Sequence, residues 1–245
     1  MKILSFNVWG AYGPDPDARL EFASSEIMRL DADLLCLQEA TNAVFVERLS
    51  REFGSAPAAA VRDGVGLVIF SRLPVRSSGS AEFTSRSSLE RYDRKFVWAV
   101  VAGGNGEEFL VANTHLSWKA EDEATRTAQA AELLAFGISR KLPMVFCGDF
   151  NCEFRSKPLA ALARAGFSDA LEGTAHEFRP SWDNRNPFIQ SHKSTFPNRR
   201  VDLILTDAAF RRRYPRNHAE VVLDRVDGRG VFPSDHYGVL AEFDT

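Results

Sequence analysis

Apolar segments of strand length that end in polar residues recur along the 245-residue chain, and this pattern restricts the fold more than any other feature. The polar ends are Ser5-Phe6-Asn7, Gln38-Glu39, Asn113-Thr114-His115, Gly148-Asp149-Phe150-Asn151 and Ser234-Asp235-His236. A further segment, Arg200-Val201-Asp202, places a carboxylate at the start of a strand. Strand ends in α/β proteins converge on one edge of a sheet, where loops build a site on a rigid scaffold. We therefore expect these side chains to meet.

Strand and helix patterns alternate along the chain, and glycine and proline residues separate them. The predicted strands cover residues 2–9, 33–39, 65–71, 95–102, 107–115, 143–149, 201–205, 219–223 and 237–243. The turn Gly103-Gly104-Asn105-Gly106 predicts an antiparallel hairpin between its two flanking strands. The predicted helices cover about residues 20–30, 42–53, 121–140 and 156–165, the last with Ser156 as its N-cap. Residues 173–200 lack periodicity and are predicted to form a long functional loop.

Length and charge narrow the class of protein. A chain of 245 residues suits one domain over residues 1–245. The formal net charge of −3 argues against binding nucleic acid through bulk electrostatics, although a local basic groove would suffice for a nuclease. The three cysteines, Cys36, Cys147 and Cys152, are expected to be buried free thiols in a reducing compartment. The longest apolar stretches are strand-sized, so we expect a cytoplasmic protein with no transmembrane segment, and nothing implies an obligate protein partner.

The side chains at the strand ends suit phosphoryl transfer assisted by a hard divalent cation. Such cations choose oxygen ligands and neutralise the charge that develops on phosphorus-bound oxygens. Imidazoles contact phosphate or transfer protons near neutral pH, and amides donate N–H groups without repelling an anion. The carboxylates are Glu39, Asp149, Asp202 and Asp235, the imidazoles His115 and His236, and the amides Asn7 and Asn151.

The motifs QE, NTHL, GDFN and SDHYGV, in this order over nearly the whole chain, resemble the endonuclease/exonuclease/phosphatase superfamily. Each motif is common by itself, whereas the ordered set is highly specific. The family includes deoxyribonucleases, apurinic endonucleases, neutral sphingomyelinases, inositol-polyphosphate 5-phosphatases, deadenylases and 5′-tyrosyl-DNA phosphodiesterases. The resemblance implies an α+β fold, a four-layer α/β/β/α sandwich of two packed mixed β-sheets flanked by helices, with the site at one end.

The resemblance also implies a metal-binding side of the site. Glu39 resembles the main metal ligand and is assisted by Asn7. Asp235 resembles the acid beside the metal, which is expected to be Mg²⁺ or Mn²⁺.

The remaining site residues are expected to direct water and hold phosphate. Asp149 resembles the residue that activates or orients the attacking water, and Asn151 the amide that contacts the phosphate. His115 resembles a contact to the phosphate and the leaving group. His236 resembles the imidazole on the phosphate, with Asp202 accepting its other ring N–H. A carboxylate in that position fixes the tautomer of an imidazole and favours its protonated form.

Four further side chains are expected to bind substrate. Arg199 and Arg200 adjoin Asp202 and present guanidinium forks suited to phosphate. Trp182, in the 173–200 loop, either stacks on a substrate group or packs the loop against the sheet. Arg94 precedes a central strand and is a possible phosphate contact.

The residues point to a reaction type and leave the substrate open. We expect a hydrolase of phosphoester bonds that uses in-line attack by water. The segment SWDNRN ahead of RRVDLIL is similar to the late loop-and-strand region of 5′-tyrosyl-DNA phosphodiesterases, and this resemblance favours a phosphodiesterase acting on nucleic acid or its 5′-adducts. The alternatives are a lipid or small-molecule phosphoesterase, either sphingomyelinase-like or phosphoinositide phosphatase-like, and a non-catalytic binding module on the same fold. The substrate partner is accordingly a nucleic acid, a nucleotide adduct or a phospholipid headgroup.

Overall fold

Two six-stranded β-sheets packed face to face form the centre of the molecule, and helices cover their outer faces. These features come from a computed structural model that describes residues 1–61, 65–104, 106–191 and 196–245. The helices are α1 (Pro16–Arg29), α2 (Ala43–Phe53), α3 (Glu123–Arg140), α4 (Ala160–Arg164), α5 (Pro187–Ser191) and α6 (Ala208–Arg213). The expected α+β architecture, a four-layer α/β/β/α sandwich, is confirmed.

In each sheet the order of the strands in space differs from their order along the chain. In order across the first sheet they are β11 (Arg216–Val222), β12 (Gly238–Phe243), β1 (Lys2–Asn7), β2 (Leu34–Gln38), β4 (Leu67–Ser71) and β3 (Ala59–Val61). In order across the second they are β5 (Val75–Glu82), β6 (Lys95–Ala102), β7 (Glu108–His115), β8 (Met144–Asp149), β10 (Asp202–Thr206) and β9 (Ser168–Asp169).

The two sheets repeat one topology. In the first sheet β1 and β2 run parallel and are joined through α1, and in the second β7 and β8 run parallel and are joined through α3. All other neighbouring strands pair antiparallel. Because each parallel pair ends at the same edge, Asn7 lies opposite Gln38 in register and His115 lies opposite Asp149.

Buried apolar side chains form three layers, one between the sheets and one between each sheet and its helices. These layers explain why the central strands are continuous hydrophobic runs. Alternate residues of β2 point to different layers: Cys36 packs between the sheets, whereas Leu35 and Leu37 pack against α1 and α2. In β8, Val145 and Cys147 face the inter-sheet layer, while Phe146 packs under α3 and α4. Strands buried on both faces need apolar side chains at every position. The three cysteines are free and buried, as expected.

Several sequence predictions of elements need correction. The hairpin of β6 and β7 is confirmed, although Asn105 of its turn lies outside the described residues. Ser156 does not cap a helix with its side chain, because its hydroxyl donates to Glu153 O at 2.6 Å and a short 3₁₀ turn precedes α4. Strand β5 was not predicted because it is largely exposed and polar. The 173–200 loop contains α5, and its residues 192–195 lie outside the described part.

No helix in the described ranges is long and apolar enough to cross a membrane.

Candidate active site

A cleft of about 570 Å³ opens at the edge where β1, β2, β7 and β8 end. Its wall brings together residues that are far apart in sequence, as the strand-end pattern predicted. The predicted site residues that line it are Glu39, Arg94, His115, Asp149, Asn151, Trp182, Arg199, Asp235 and His236. Asn7 and Asp202 lie directly behind this wall and contact lining residues, whereas Arg200 lies elsewhere.

A histidine–aspartate pair forms part of the cleft wall, with His236 lining the cleft and Asp202 behind it. His236 Nδ1 lies 2.8 Å from Asp202 Oδ2, and both side chains are buried. The backbone N–H of Asp202 donates to the hydroxyl of Ser181 at 3.1 Å, which fixes the backbone that carries the carboxylate. The opposite ring nitrogen of His236, Nε2, faces Asp149 Oδ2 at 3.8 Å. This arrangement leaves Nε2 directed toward the open cleft.

Electrostatics give His236 and Asp149 unusual protonation behaviour. Burial disfavours the imidazolium, but the carboxylates of Asp202, Asp235 and Asp149 together raise the pKa of His236 well above its ordinary value. Burial is the main reason that the pKa of Asp149 rises to about 7, with the Asp202 carboxylate adding to the effect and His236 opposing it. His236 is therefore a cation at neutral pH, and Asp149 exchanges a proton near neutrality.

His115 lies between Glu39 and Asp149, two of the four carboxylates predicted from the sequence. Its Nε2 lies 3.3 Å from Asp149 Oδ2, and its Nδ1 lies 3.9 Å from Glu39 Oε1. Burial, followed by the charges of Arg94 and His236, lowers the pKa of His115 well below its ordinary value. The two histidines of the cleft therefore differ in charge, with His115 neutral and His236 protonated.

Asn7 connects the carboxylates of Glu39 and Asp149 through hydrogen bonds. Its amino group donates to Glu39 Oε1 at 3.0 Å and to Asp149 Oδ2 at 3.2 Å. Its oxygen accepts the backbone N–H of Trp9 at 3.0 Å, which fixes the orientation of the amide. Asn7 thus presents N–H groups to the carboxylates, rather than the oxygen that a metal ligand would present. Burial and the nearby Asp235 carboxylate raise the pKa of Glu39, despite the hydrogen bond from Asn7.

Left-handed backbone conformations cluster at this edge. Trp9, Glu39 and Asn151 have φ values of 55°, 55° and 53°, which are uncommon for residues other than glycine. In the GDFN segment Gly148 has φ of 145°, and a Cβ at this position would lie 2.1 Å from Thr114 O of β7. The sharp turns direct Glu39 and Asn151 into the cleft, and such local strain is typical of functional sites.

Buried amides beneath the cleft connect the two sheets. Gln38 Nε2 donates to Asn113 Oδ1 at 2.7 Å, and Asn113 Nδ2 donates to Leu37 O at 2.7 Å and Val68 O at 3.0 Å. Gln38 precedes Glu39, and Asn113 lies two residues before His115. The network therefore holds the two halves of the cleft at a fixed separation.

The predicted substrate-binding residues lie in different places. Arg94 and Trp182 line the cleft, and the Trp182 ring lies 5.1 Å from the His236 ring in an edge-on contact. Arg199 also lines it and stacks over the Phe196 ring at 4.0 Å. Arg200 does not join them, because its guanidinium binds Asp169 and Glu177 O in a neighbouring cavity.

Two groups of donors are relevant to a metal. Within the described residues, one trio of possible ligand side chains, Asp149, Asp202 and His236, has ligand atoms within 4.8 Å of one another. Nδ1 of His236 and Oδ2 of Asp202 already bind each other, so this trio offers few oxygens to a hard cation. Glu39, whose side chain is 24% exposed, and buried Asp235 collect negative charge at the open side of the cleft. That pair fits a hard divalent cation better.

Arg19 is a residue of this region that the sequence analysis missed. Its fully buried guanidinium donates to five backbone carbonyl oxygens, those of Val8, Trp9, Gly10, Tyr12 and Pro233. It thereby ties the loop after β1 to the loop that carries Asp235 and His236. A signal was present, because Arg19 lies four residues before Ala23 on the apolar face of α1.

A four-layer sandwich with carboxylates, imidazoles and amides at one end of its sheets defines a class of phosphoesterases. The chain belongs to the Endonuclease/Exonuclease/phosphatase family, whose sequence profile matches residues 4–236. It is 28% identical over 249 residues to protein angel of Drosophila melanogaster, a match that covers 89% of this chain and 69% of that protein.

Two further comparisons extend this relationship. The chain is 25% identical over 175 residues to human 2′,5′-phosphodiesterase 12, covering 57% of this chain and 29% of that much longer protein. The crystal structure of D. rerio TDP2 complexed with single strand DNA product has a TM-score of 0.80 and 22% identity, and the alignment covers 100% of this chain and 99% of that one. This structural likeness shows the shared fold.

Proposed function

We propose that this protein is a Mg²⁺- or Mn²⁺-dependent phosphodiesterase that hydrolyses nucleic acid or its 5′-adducts through in-line attack by water. One observation carries the proposal: His236, whose Nδ1 lies 2.8 Å from Asp202 Oδ2, has its Nε2 3.8 Å from Asp149 Oδ2 in the same cleft. Burial raises the pKa of the Asp149 carboxyl to about 7, and the surrounding carboxylates outweigh burial to raise the pKa of His236. This pairing supports the proposal, because a cationic imidazole suits a phosphate oxygen and a carboxylate with that pKa suits acceptance of a proton from water.

The chain's own groups supply the phosphate contacts. His236 Nε2 points into the cleft and donates a charge-assisted hydrogen bond to a phosphate oxygen. Asn151 uses one amide N–H on Leu116 O at 3.0 Å, and its second N–H is directed to the phosphate. Asp149 accepts a proton from the attacking water. The backbone N–H of Asn151 orients this carboxylate by donating a hydrogen bond to Asp149 Oδ1 at 2.9 Å.

Glu39 and Asp235 are the residues that we propose to hold the metal. Burial, followed by the Asp235 carboxylate, raises the pKa of Glu39, which supports this assignment because it indicates that the two acidic groups lie close to each other and carboxylate oxygens suit a hard divalent cation. A bound Mg²⁺ or Mn²⁺ neutralises charge on phosphorus-bound oxygens. Asn7 holds Glu39 in place for that role.

Nucleic acid is the preferred substrate class for two reasons. One relative is named as a 2′,5′-phosphodiesterase, and one structural neighbour is a TDP2 complexed with single strand DNA product. Arg94 and Arg199 add positive charge to a cleft that Trp182 flanks with an aromatic ring. Guanidinium groups and aromatic faces are the usual means of holding a single strand.

The first test is metal-dependent activity on a generic phosphodiester. Hydrolysis of bis-p-nitrophenyl phosphate is measured with EDTA, Mg²⁺ or Mn²⁺, using the wild type, Glu39→Gln and the surface variant Glu47→Gln. We expect activity only with metal, a loss of about a hundredfold or more in kcat for Glu39→Gln, and no change for Glu47→Gln. Equal activity in EDTA, or an unaffected Glu39→Gln enzyme, would refute the metal assignment.

A substrate panel then separates the alternatives. It contains single-stranded DNA and RNA, a 5′-phosphotyrosyl oligonucleotide, abasic duplex, sphingomyelin and phosphoinositides. Turnover of an oligonucleotide substrate is the expected result, and exclusive turnover of either lipid class would replace the proposal with the corresponding lipid phosphoesterase. Capture of a phosphorylated enzyme during turnover would contradict direct attack by water.

A further inference from the structure

Exposed aromatic rings concentrate at the rim of the cleft. Tyr12, Tyr92 and Trp118 are 54%, 54% and 45% exposed, and all three line the cleft. Most aromatic side chains of the described chain are buried in the three apolar layers. A large aromatic ring that stays in water does not contribute the stabilisation that its burial would give. Several such rings beside a site therefore indicate a binding surface.

The backbone that carries Trp118 is tightly held. The N–H of Trp118 donates to Glu90 Oε1 at 2.7 Å. On its two sides, Arg126 of α3 donates to Ser117 O at 2.9 Å and Lys119 O at 2.6 Å. Because these contacts fix the peptide groups before and after it, the indole projects from a preorganised segment rather than from a mobile loop.

Glu90 connects Trp118 to Arg94. The Glu90 side chain is only 2% exposed, and its carboxylate accepts from Arg94 Nε at 2.6 Å and from Arg94 Nη2 at 3.2 Å. Within the described ranges, these are the hydrogen bonds that the Arg94 guanidinium makes. The same carboxylate therefore fixes both a guanidinium in the cleft and the backbone of an aromatic ring at its rim.

We propose that Arg94 and Trp118 form a nucleotide subsite beside the reacting phosphate, with Arg94 on a phosphate oxygen and Trp118 stacked on an unpaired base. Glu90 is the positioning residue that sets the distance between them. This inference rests on the proposed function and specifies its substrate as a single-stranded end. A base inside a duplex is stacked on both of its neighbours and offers no free face, and the formal net charge of −3 argues against bulk electrostatic attraction of a duplex backbone.

Two substrates with the same leaving group isolate recognition of the nucleoside. We compare kcat/KM for thymidine 5′-(p-nitrophenyl phosphate) and methyl p-nitrophenyl phosphate in the presence of Mg²⁺ or Mn²⁺. The wild type is expected to prefer the nucleoside ester, and Trp118→Ala to lower this preference about tenfold, the effect of losing one base stack. Trp118→Phe is expected to retain most of the preference. Phe178→Ala, which removes a ring 89% exposed outside the cleft, is the matched control and is expected to keep the wild-type preference.

Glu90→Gln tests the positioning role. The amide keeps an oxygen for the Trp118 N–H but loses the charge that orients Arg94. We expect the KM for the nucleoside ester to rise about fivefold while kcat changes by less than about twofold, because binding is lost uniformly. A merely structural role would instead lower the active fraction, and hence kcat, without moving KM.

The outcomes separate the two proposals. If neither ester is hydrolysed with metal, the proposed function fails. If both are hydrolysed and the preference is the same in the wild type and Trp118→Ala, the function stands and the nucleotide subsite is wrong. If Trp118→Ala does not fold, Trp118→Leu replaces it, because leucine keeps apolar bulk without a π face. An unchanged preference in Trp118→Leu would likewise show that the nucleotide subsite is wrong. Calorimetric binding of thymidine 5′-monophosphate, compared with inorganic phosphate, provides a readout independent of turnover, and equal affinities would also overturn the subsite.

Discussion

Asp202 is fully buried, and its pairing with His236 is the central chemical feature of the cleft. Its Oδ2 lies 2.8 Å from His236 Nδ1, and the N–H groups of Val201 and Asp202 both donate to Ser181 Oγ. Burying a carboxylate is costly unless a partner of opposite charge is present. The imidazole of His236, whose pKa the neighbouring carboxylates raise well above its ordinary value despite burial, is that partner, so the stability of buried Asp202 and the charge of His236 depend on each other.

Asp202→Asn is expected to lower kcat for bis-p-nitrophenyl phosphate by about 10- to 100-fold, the usual effect of losing an orienting partner. The amide oxygen still accepts the ring N–H, so the geometry of His236 is kept, but the imidazole is no longer held in its cationic form. Steady-state kinetics on the holoenzyme provide the measurement. Asp207→Asn, at the N-cap of α6, is the matched control, since it alters a buried aspartate that lies outside the cleft. Equal kcat values for wild type and Asp202→Asn would remove Asp202 from the mechanism.

Most of the candidate site could be predicted from the sequence, because strand ends and motifs mark residues that act through their own side chains. The exceptions have a physical reason. Arg199 and Arg200 are adjacent in an extended segment, where successive side chains point in opposite directions, and the sequence does not reveal which one faces the cleft. Glu90 and Trp118 meet through a hydrogen bond between a side chain and a backbone group 28 residues apart, a contact without a local sequence pattern.

At the scale of elements, each parallel strand pair is joined by a helix whose fourth residue is a buried arginine. Arg19 of α1 holds the loop after β1, and Arg126 of α3 holds carbonyls of the segment after β7. The repeat was not evident in the sequence, because the two halves share their topology and this arginine rather than a longer run of residues. Helix α3 was predicted well from its apolar periodicity, whereas the exposed edge strand β5 offered no alternation to detect.

The buried arginine of α1 leads to a stability prediction. Arg19→Lys is expected to reduce the free energy of unfolding by about 2–4 kcal/mol, because one ammonium cannot satisfy all five carbonyls and the rest are left buried and unpaired. Urea denaturation followed by circular dichroism gives the value. Arg29→Lys, on the exposed end of the same helix, is expected to change it by less than about 0.5 kcal/mol. Similar losses in both variants would show that the carbonyl contacts of Arg19 contribute little.

At the scale of the whole molecule, neither sheet can be stable alone, because the inter-sheet layer includes Ile3 and Cys36 from the first sheet together with Val111 and Val145 from the second. The sandwich was predicted through the resemblance of the motifs, since no local pattern indicates which sheet a strand joins. The shared layer has a consequence for function. Glu39 and Asp235, the proposed metal ligands, adjoin β2 and β12 of the first sheet, whereas Asp149, which we propose to direct water, ends β8 of the second.

We therefore expect the two sheets to unfold as one cooperative unit, with Asn113→Ala destabilising both. Asn113 accepts from Gln38 of β2 and donates to carbonyls of β2 and β4, so its loss leaves several buried polar groups unpaired and lowers the free energy of unfolding by about 2–4 kcal/mol. Native-state hydrogen exchange reports this by strand: the slowest amides of β2 and β8 are expected to share one opening free energy and to lose the same amount in the variant. Asn217→Ala, which removes an exposed hydrogen bond to Asp244, is expected to leave both sets unchanged. Loss of protection in the second sheet alone would mean that the sheets open separately, and the cleft between them would then be held only by the bound substrate and metal.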